Sequence, residues 1–176
     1  MERTILIAAL GAAVALAGCS ERRAPVSRTV SPVAVLPATA FADALPHDFP
    51  GGPMTVTDHC ALDSVNRVAP QAVTSVPAGG SVAMSGWMAA DDATSADPSL
   101  VVRLADGARS FYARTTKRAP RHDVNAKLGV DAASPTGFEL DAALAAVPAG
   151  DYDVILLAPA RGGVAECATK WRLRIG

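Results

Sequence analysis

The last residues of the chain alternate strictly. Trp171, Leu173 and Ile175 fall on one side, and Lys170, Arg172 and Arg174 on the other. A period of two places successive side chains on opposite faces of an extended backbone, so this stretch reads as a half-buried strand. Asp151 to Ala158 sets Tyr152, Val154 and Leu156 on one face, while Ile155 and Leu157 make the other apolar too, which predicts a central strand. Leu100, Val102 and Leu104 lead through Ala105-Asp106-Gly107 into Arg109 to Arg114, a hairpin closed by an Asp-Gly turn. Further strands are expected at Cys60 to Val65, Ser81 to Met88 and Thr136 to Leu140. Gly79-Gly80, Pro148-Ala149-Gly150 and Gly162-Gly163 supply the breaks. One helical turn is expected at Val124 to Leu128, capped by Asp123 and ended by Gly129, and a second short one at Asp141 to Ala146. About seven strands with so little helix predict an all-β fold of two packed antiparallel sheets.

Composition sharpens this reading. Aromatic residues make up only 5% of the 176, so the core must be built mainly of Val, Leu and Ala. The formal charge is −1, which argues against nucleic acid as a partner, because counterion-release affinity needs a basic excess. The length suits one ordinary domain.

The other end of the chain carries a different signal. Ile5 to Ala17 is an apolar run of 13 residues, shorter than the ~20 that a spanning helix needs but suited to the core of a signal peptide. It ends in Leu16-Ala17-Gly18-Cys19, which resembles the lipobox of bacterial lipoproteins. The resemblance implies cleavage after residue 18, a diacylglyceryl group on Cys19, and acylation of the new amino terminus. Several buried chains together anchor a protein firmly. Ser20 is not the Asp that marks inner-membrane retention, so the implied location is the periplasmic side of the outer membrane. The n-region departs from the pattern, since Arg3 and the terminal amine are opposed by Glu2. The alternative is an ordinary secretory signal with Cys19 incidental. Residues 19–54 hold six of the thirteen prolines (Pro25, Pro32, Pro37, Pro46, Pro50, Pro53) and read as a semi-extended tether. That leaves residues 55–176 for the sandwich. In a second version part of the tether, Val33 to Leu36, packs on the domain as an added strand.

The order of short signals within the domain is also familiar. Leu62-Asp63-Ser64-Val65-Asn66 is followed by Ser85-Gly86-Trp87-Met88 and a strand ending near Asp91. Then come Arg121-His122-Asp123-Val124, Gly137-Phe138 and Pro148-Ala149-Gly150-Asp151-Tyr152-Asp153-Val154. Together, over residues 58–176, these resemble small Ig-like β-sandwich domains of bacterial envelope proteins, some associated with surface-polysaccharide systems. The resemblance implies an Ig-like sandwich, and Trp87 is separately expected to lie in the core. His122 stands where that pattern has proline.

Cys60 and Cys167 are the pair left after lipidation of Cys19, and they bracket the domain in an oxidising compartment. A disulfide joining the first and last strands is expected; the alternative is two free buried thiols. His47, His59 and His122 fall in separate segments without metal-ligand spacing, and no G-x-S-x-G elbow occurs. Asp91, Asp92 and Asp97 lack EF-hand spacing and read as solvated charges. No catalytic residue, metal or cofactor is therefore expected. The densest chemistry is Arg114, Lys117, Arg118 and Arg121, four cations within eight residues. Such a loop suits carboxylates or phosphates, whose geometry guanidinium matches. Its alternative is a solubilising loop paired with Asp91, Asp92 or Asp123. The functional expectation is a lipid-anchored, non-enzymatic adaptor or accessory domain with an envelope protein as partner. The alternative is a carbohydrate-binding module for anionic surface glycan or lipopolysaccharide, with Trp87 or Tyr112 as its aromatic platform.

Overall fold

The computed structural model describes residues 39–90 and 98–176. The leader, Cys19, the first part of the expected tether, and Asp91, Asp92 and Asp97 lie outside the described residues. The seven strands anticipated above are all present. They are β3 (Cys60–Val65), β5 (Ser81–Met88), β6 (Leu100–Ala105), β7 (Ser110–Thr115), β9 (Gly137–Ala143), β10 (Gly150–Ala160) and β11 (Gly163–Ile175). Four short strands of two to four residues join them: β1 (Thr39–Ala40), β2 (Met54–Val56), β4 (Val73–Val76) and β8 (Arg118–Ala119).

Two sheets pack face to face. The first runs β1-β9-β5-β3, with β8 also on β9; the second runs β2-β11-β10-β6-β7, with β4 also on β11. Counted along the chain, principal strands one, two and five form one sheet, and seven, six, three and four the other. This is the Ig-type sandwich with the fourth strand kept beside the third. The principal pairings are antiparallel, whereas β1, β2 and β4 attach in parallel. The core alternates as the period-2 pattern requires. Val82, Met84 and Met88 of β5 point inward against Leu100, Val102 and Leu104 of β6, while Ser81, Ala83 and Ser85 face out. From Val154 to Ala158, β10 is buried on both faces, as expected of a strand between β6 and β11.

Tyr152 is fully buried, meets Phe111 edge to face at 5.9 Å, and donates its hydroxyl to the Pro148 carbonyl at 2.9 Å. An aromatic hydroxyl returning to backbone just upstream is the corner device of Ig domains. Changing Tyr152→Phe removes that one bond, leaves the ring, and is expected to cost about 1 kcal/mol in urea unfolding. Unchanged stability would show that the corner is held by packing alone.

Three expectations need correction. Residues 39–54 are not free tether. Phe41 is 1% exposed in the core, and its amide bonds to the Ala143 carbonyl at 3.0 Å. Ala42 exchanges both backbone bonds with Tyr112. Leu45 and Phe49 then cover Val101, Ile155, Leu157 and Val164 on the outer face of the second sheet. Pro46 marks a turn here, with the Phe49 amide bonding back to its carbonyl at 2.9 Å. Burying two phenylalanines outweighs the loss of proline donors.

Trp87 is the second correction. It lies half-buried on the outward register of β5, not in the core. The third concerns helices. Asp141 to Ala143 belongs to β9, and only a turn closed by Val147 N–H on the Leu144 carbonyl follows it. The single helix, α1 (His122–Leu128), starts one residue before Asp123 and has Arg121 at its N-cap without a side-chain bond. Gly129 ends it as anticipated, with φ of 69°, a conformation that costs glycine little.

Candidate functional site

The expected disulfide is present. Cys60 and Cys167 are bonded with a Cα–Cα distance of 6.2 Å, joining β3 of the first sheet to β11 of the second. It therefore clamps the sheets together at a point where β11 lies between its pairings with β2 and β4.

The basic cluster is divided. Arg114 alternates outward on β7 and reaches the Asp48 carboxylate on the segment that crosses the second sheet. Hydrogen bonding from Arg114 holds the Asp48 carboxyl below the ordinary range. Lys117, Arg118 and Arg121 instead line the first sheet. There, with Asp63, Ser85, Gly137 and Glu139, they bound a groove of about 440 Å³. Ser85, Gly86 and Gly137 are the small residues that leave room for it. At Gly137 a Cβ would stand 2.9 Å from Cγ of Arg121 and 3.0 Å from the Ala119 carbonyl, so a larger residue would force Arg121 to shift.

The groove cations have different partners. Arg121 donates Nη1 to Asp63 at 2.5 Å, and Nε and Nη2 to the two oxygens of Asp123 at 2.9 and 2.8 Å. Lys117 Nζ sits 3.8 Å from Asp141. Asp123 and Asp63 raise the Arg121 pKa, and the reciprocal hydrogen bond from Arg121 holds Asp123 down at about 2. A depressed carboxyl stabilises the fold above its unfolded pKa, so this contribution is full above about pH 4 and is lost as pH falls toward 2. Carbon-detected NMR titration is expected to find the Asp123 midpoint near pH 2. A midpoint near 4, the unperturbed value, would contradict the bidentate pair.

Arg118 is unlike its neighbours. Its Nε donates to the Pro135 carbonyl at 2.9 Å, and Nη2 to the carbonyls of Met88 and Thr136 at 3.0 and 3.2 Å. No carboxylate pairs with it among the described residues. Burial alone lowers its pKa to about 10. The loop supplying two of those carbonyls is itself built around Asn125. This side chain is fully buried, donates Nδ2 to the carbonyls of Asp131, Ala132 and Ser134, and accepts from the Thr136 hydroxyl at 2.6 Å. Sequence reasoning passed over Asn125, Asp63 and Glu139. An Asn inside a short helical pattern carries no distinguishing signal, and the two acids come from strands distant in sequence from the basic loop.

The histidines are dispersed. His47 lies 3.6 Å from Asp48, His59 lies 3.7 Å from Asp58, and His122 opens α1. No group of three His, Cys, Asp or Glu side chains that could hold a metal occurs among the described residues. Tyr112, one of the two possible aromatic platforms, packs beside the Phe49 cluster. Comparison with protein-family models, curated proteins and solved structures finds no match to this chain.

Proposed function

We propose that the chain is an envelope lipoprotein, anchored through Cys19 on the periplasmic side of the outer membrane. Its sandwich acts as a non-enzymatic adaptor or accessory domain for a protein partner. The anchor rests on the lipobox resemblance at Leu16-Ala17-Gly18-Cys19. The adaptor reading rests on one observation: Arg114, Lys117 and Arg121 each face a carboxylate of the same chain. Cations spent in this way give little attraction to a polyanion, while a surface of matched charges is what a protein partner reads for orientation and specificity. In the groove itself the aromatic residue, Phe138, is buried, and the glycan alternative rests on Trp87, half-buried on the outward face of β5 opposite Gly137.

The test is cross-linking in intact cells followed by mass spectrometry of the linked peptides. The expected result is one recurrent protein joined through a defined face of the sandwich. Absence of any recurrent protein, together with salt-sensitive retention of the pure chain on lipopolysaccharide, would replace the adaptor with the glycan-binding module.

A further inference from the structure

Arg118 stands out because its cage is neutral. Three carbonyls fix the guanidinium through Nε and Nη2, and Nη1 has no hydrogen-bond partner among the described residues. Main-chain oxygens orient a guanidinium without cancelling its charge. A half-buried cation left in this state favours any carboxylate that can reach it, because partial desolvation strengthens the attraction and the rigid fork loses little freedom on binding. The position of this cation matters equally. Arg118 lines the same groove as Ser85, Gly137 and Glu139, on the outward face of the first sheet.

We infer that this groove is the docking site for a protein segment presenting a single carboxylate, which accepts a charge-assisted hydrogen bond from Nη1 of Arg118. The inference deepens the adaptor reading and rests on it. Charge decides the class of partner. Arg121 is already satisfied by Asp63 and Asp123, and Lys117 faces Asp141. Glu139 adds a carboxylate at the groove for which no ion pair is formed among the described residues. One unmatched cation, with the Glu139 carboxylate in the same groove, suits a segment carrying one acid and disfavours one carrying several. A glycan of the hyaluronan type, with an acid on every second sugar, would set further carboxylates against Asp63 and Glu139. The Asn125 scaffold serves the same end, since the loop it holds carries the Pro135 and Thr136 carbonyls that aim Arg118.

The test uses the isotope-labelled full chain in detergent micelles, with NMR detection of the Arg118 side-chain N–H and the amides of Ser85, Gly137 and Glu139. The probes are the capped tripeptide Ala-Glu-Ala, its Ala-Gln-Ala counterpart, and a hyaluronan tetrasaccharide. The expected result is a saturable shift with the Glu peptide at a dissociation constant on the order of 1 mM, at least about tenfold tighter than with the Gln peptide. Arg118→Gln is expected to abolish the shift. Because that change also unties three carbonyls, Glu139→Gln serves as a second variant on an exposed side chain, and it is expected to tighten binding about twofold. No difference between the Glu and Gln peptides, or a shift with hyaluronan alone, would overturn the inference. Binding seen only after changing Asp91→Asn and Asp92→Asn together would also overturn it, since the chain's own acids would then occupy Arg118. A partner cross-linked through a different face would leave the adaptor reading standing while this site fell.

Discussion

Removing the Cys60–Cys167 bridge, by reduction or by changing both residues to Ala, is expected to lower stability by about 4 kcal/mol. The bond spans 107 residues, and closing so long a loop in the unfolded chain removes much of its entropy. Chain-entropy reasoning sets an upper figure of about 4.7 kcal/mol for a loop of this order, and any strain in the folded state subtracts from it. The folded state also gives reason to expect a large effect. Cys167 is fully buried in the core, and the bridge ties an edge strand of one sheet to the long strand β11 of the other. Urea unfolding with and without reductant measures the difference. A change below about 1 kcal/mol would mean that packing between the sheets already restricts the reduced chain.

Phe41→Ala is expected to cost about 3–5 kcal/mol, the range for deleting a buried aromatic side chain and leaving a cavity. Phe41 is among the largest fully buried side chains, and it enters the core from a segment that looks like a linker in sequence. Asp43→Ala, two residues on and exposed, is expected to change stability by less than about 0.5 kcal/mol. The contrast between the two separates a packed segment from a tether. Equal and small effects would return residues 39–54 to the linker.

The parts of the fold that were legible in sequence are those where one local pattern settles the outcome. β5 keeps its apolar positions at 82, 84 and 88, and the Asp106-Gly107 turn fixes the β6–β7 hairpin, with Asp106 bonding both the Ala108 and Arg109 amides. The two cysteines, bracketing the domain, were enough to suggest the bridge. The short strands β1, β2, β4 and β8 were not legible, because two to four residues carry no period and exist only where a longer strand offers an edge. Trp87 was misplaced for a related reason. Its size suggests the core, yet the register of β5 turns every second residue outward, and Trp87 shares its face with Ser85. Register overrides side-chain size.

The basic loop was legible as a concentration of charge, but its partners were not. Asp63 and Asp141 meet it through sheet pairing, and Asp48 through the segment that crosses the second sheet, none of which is visible in sequence. Consequently the sequence-based expectation of one four-residue anion site separates into an Arg114–Asp48 pin on the second sheet and a groove on the first. What distinguishes Arg118 is its three carbonyl partners, which no residue-type pattern announces.

The most direct test of the proposed lipoprotein is mass spectrometry of its amino-terminal peptide, taken from membrane fractions of the native source. The account predicts a peptide beginning at Cys19 that carries a diacylglyceryl group on the thiol and an acyl chain on the new amine. An unmodified peptide running continuously through Gly18 and Cys19 would contradict it.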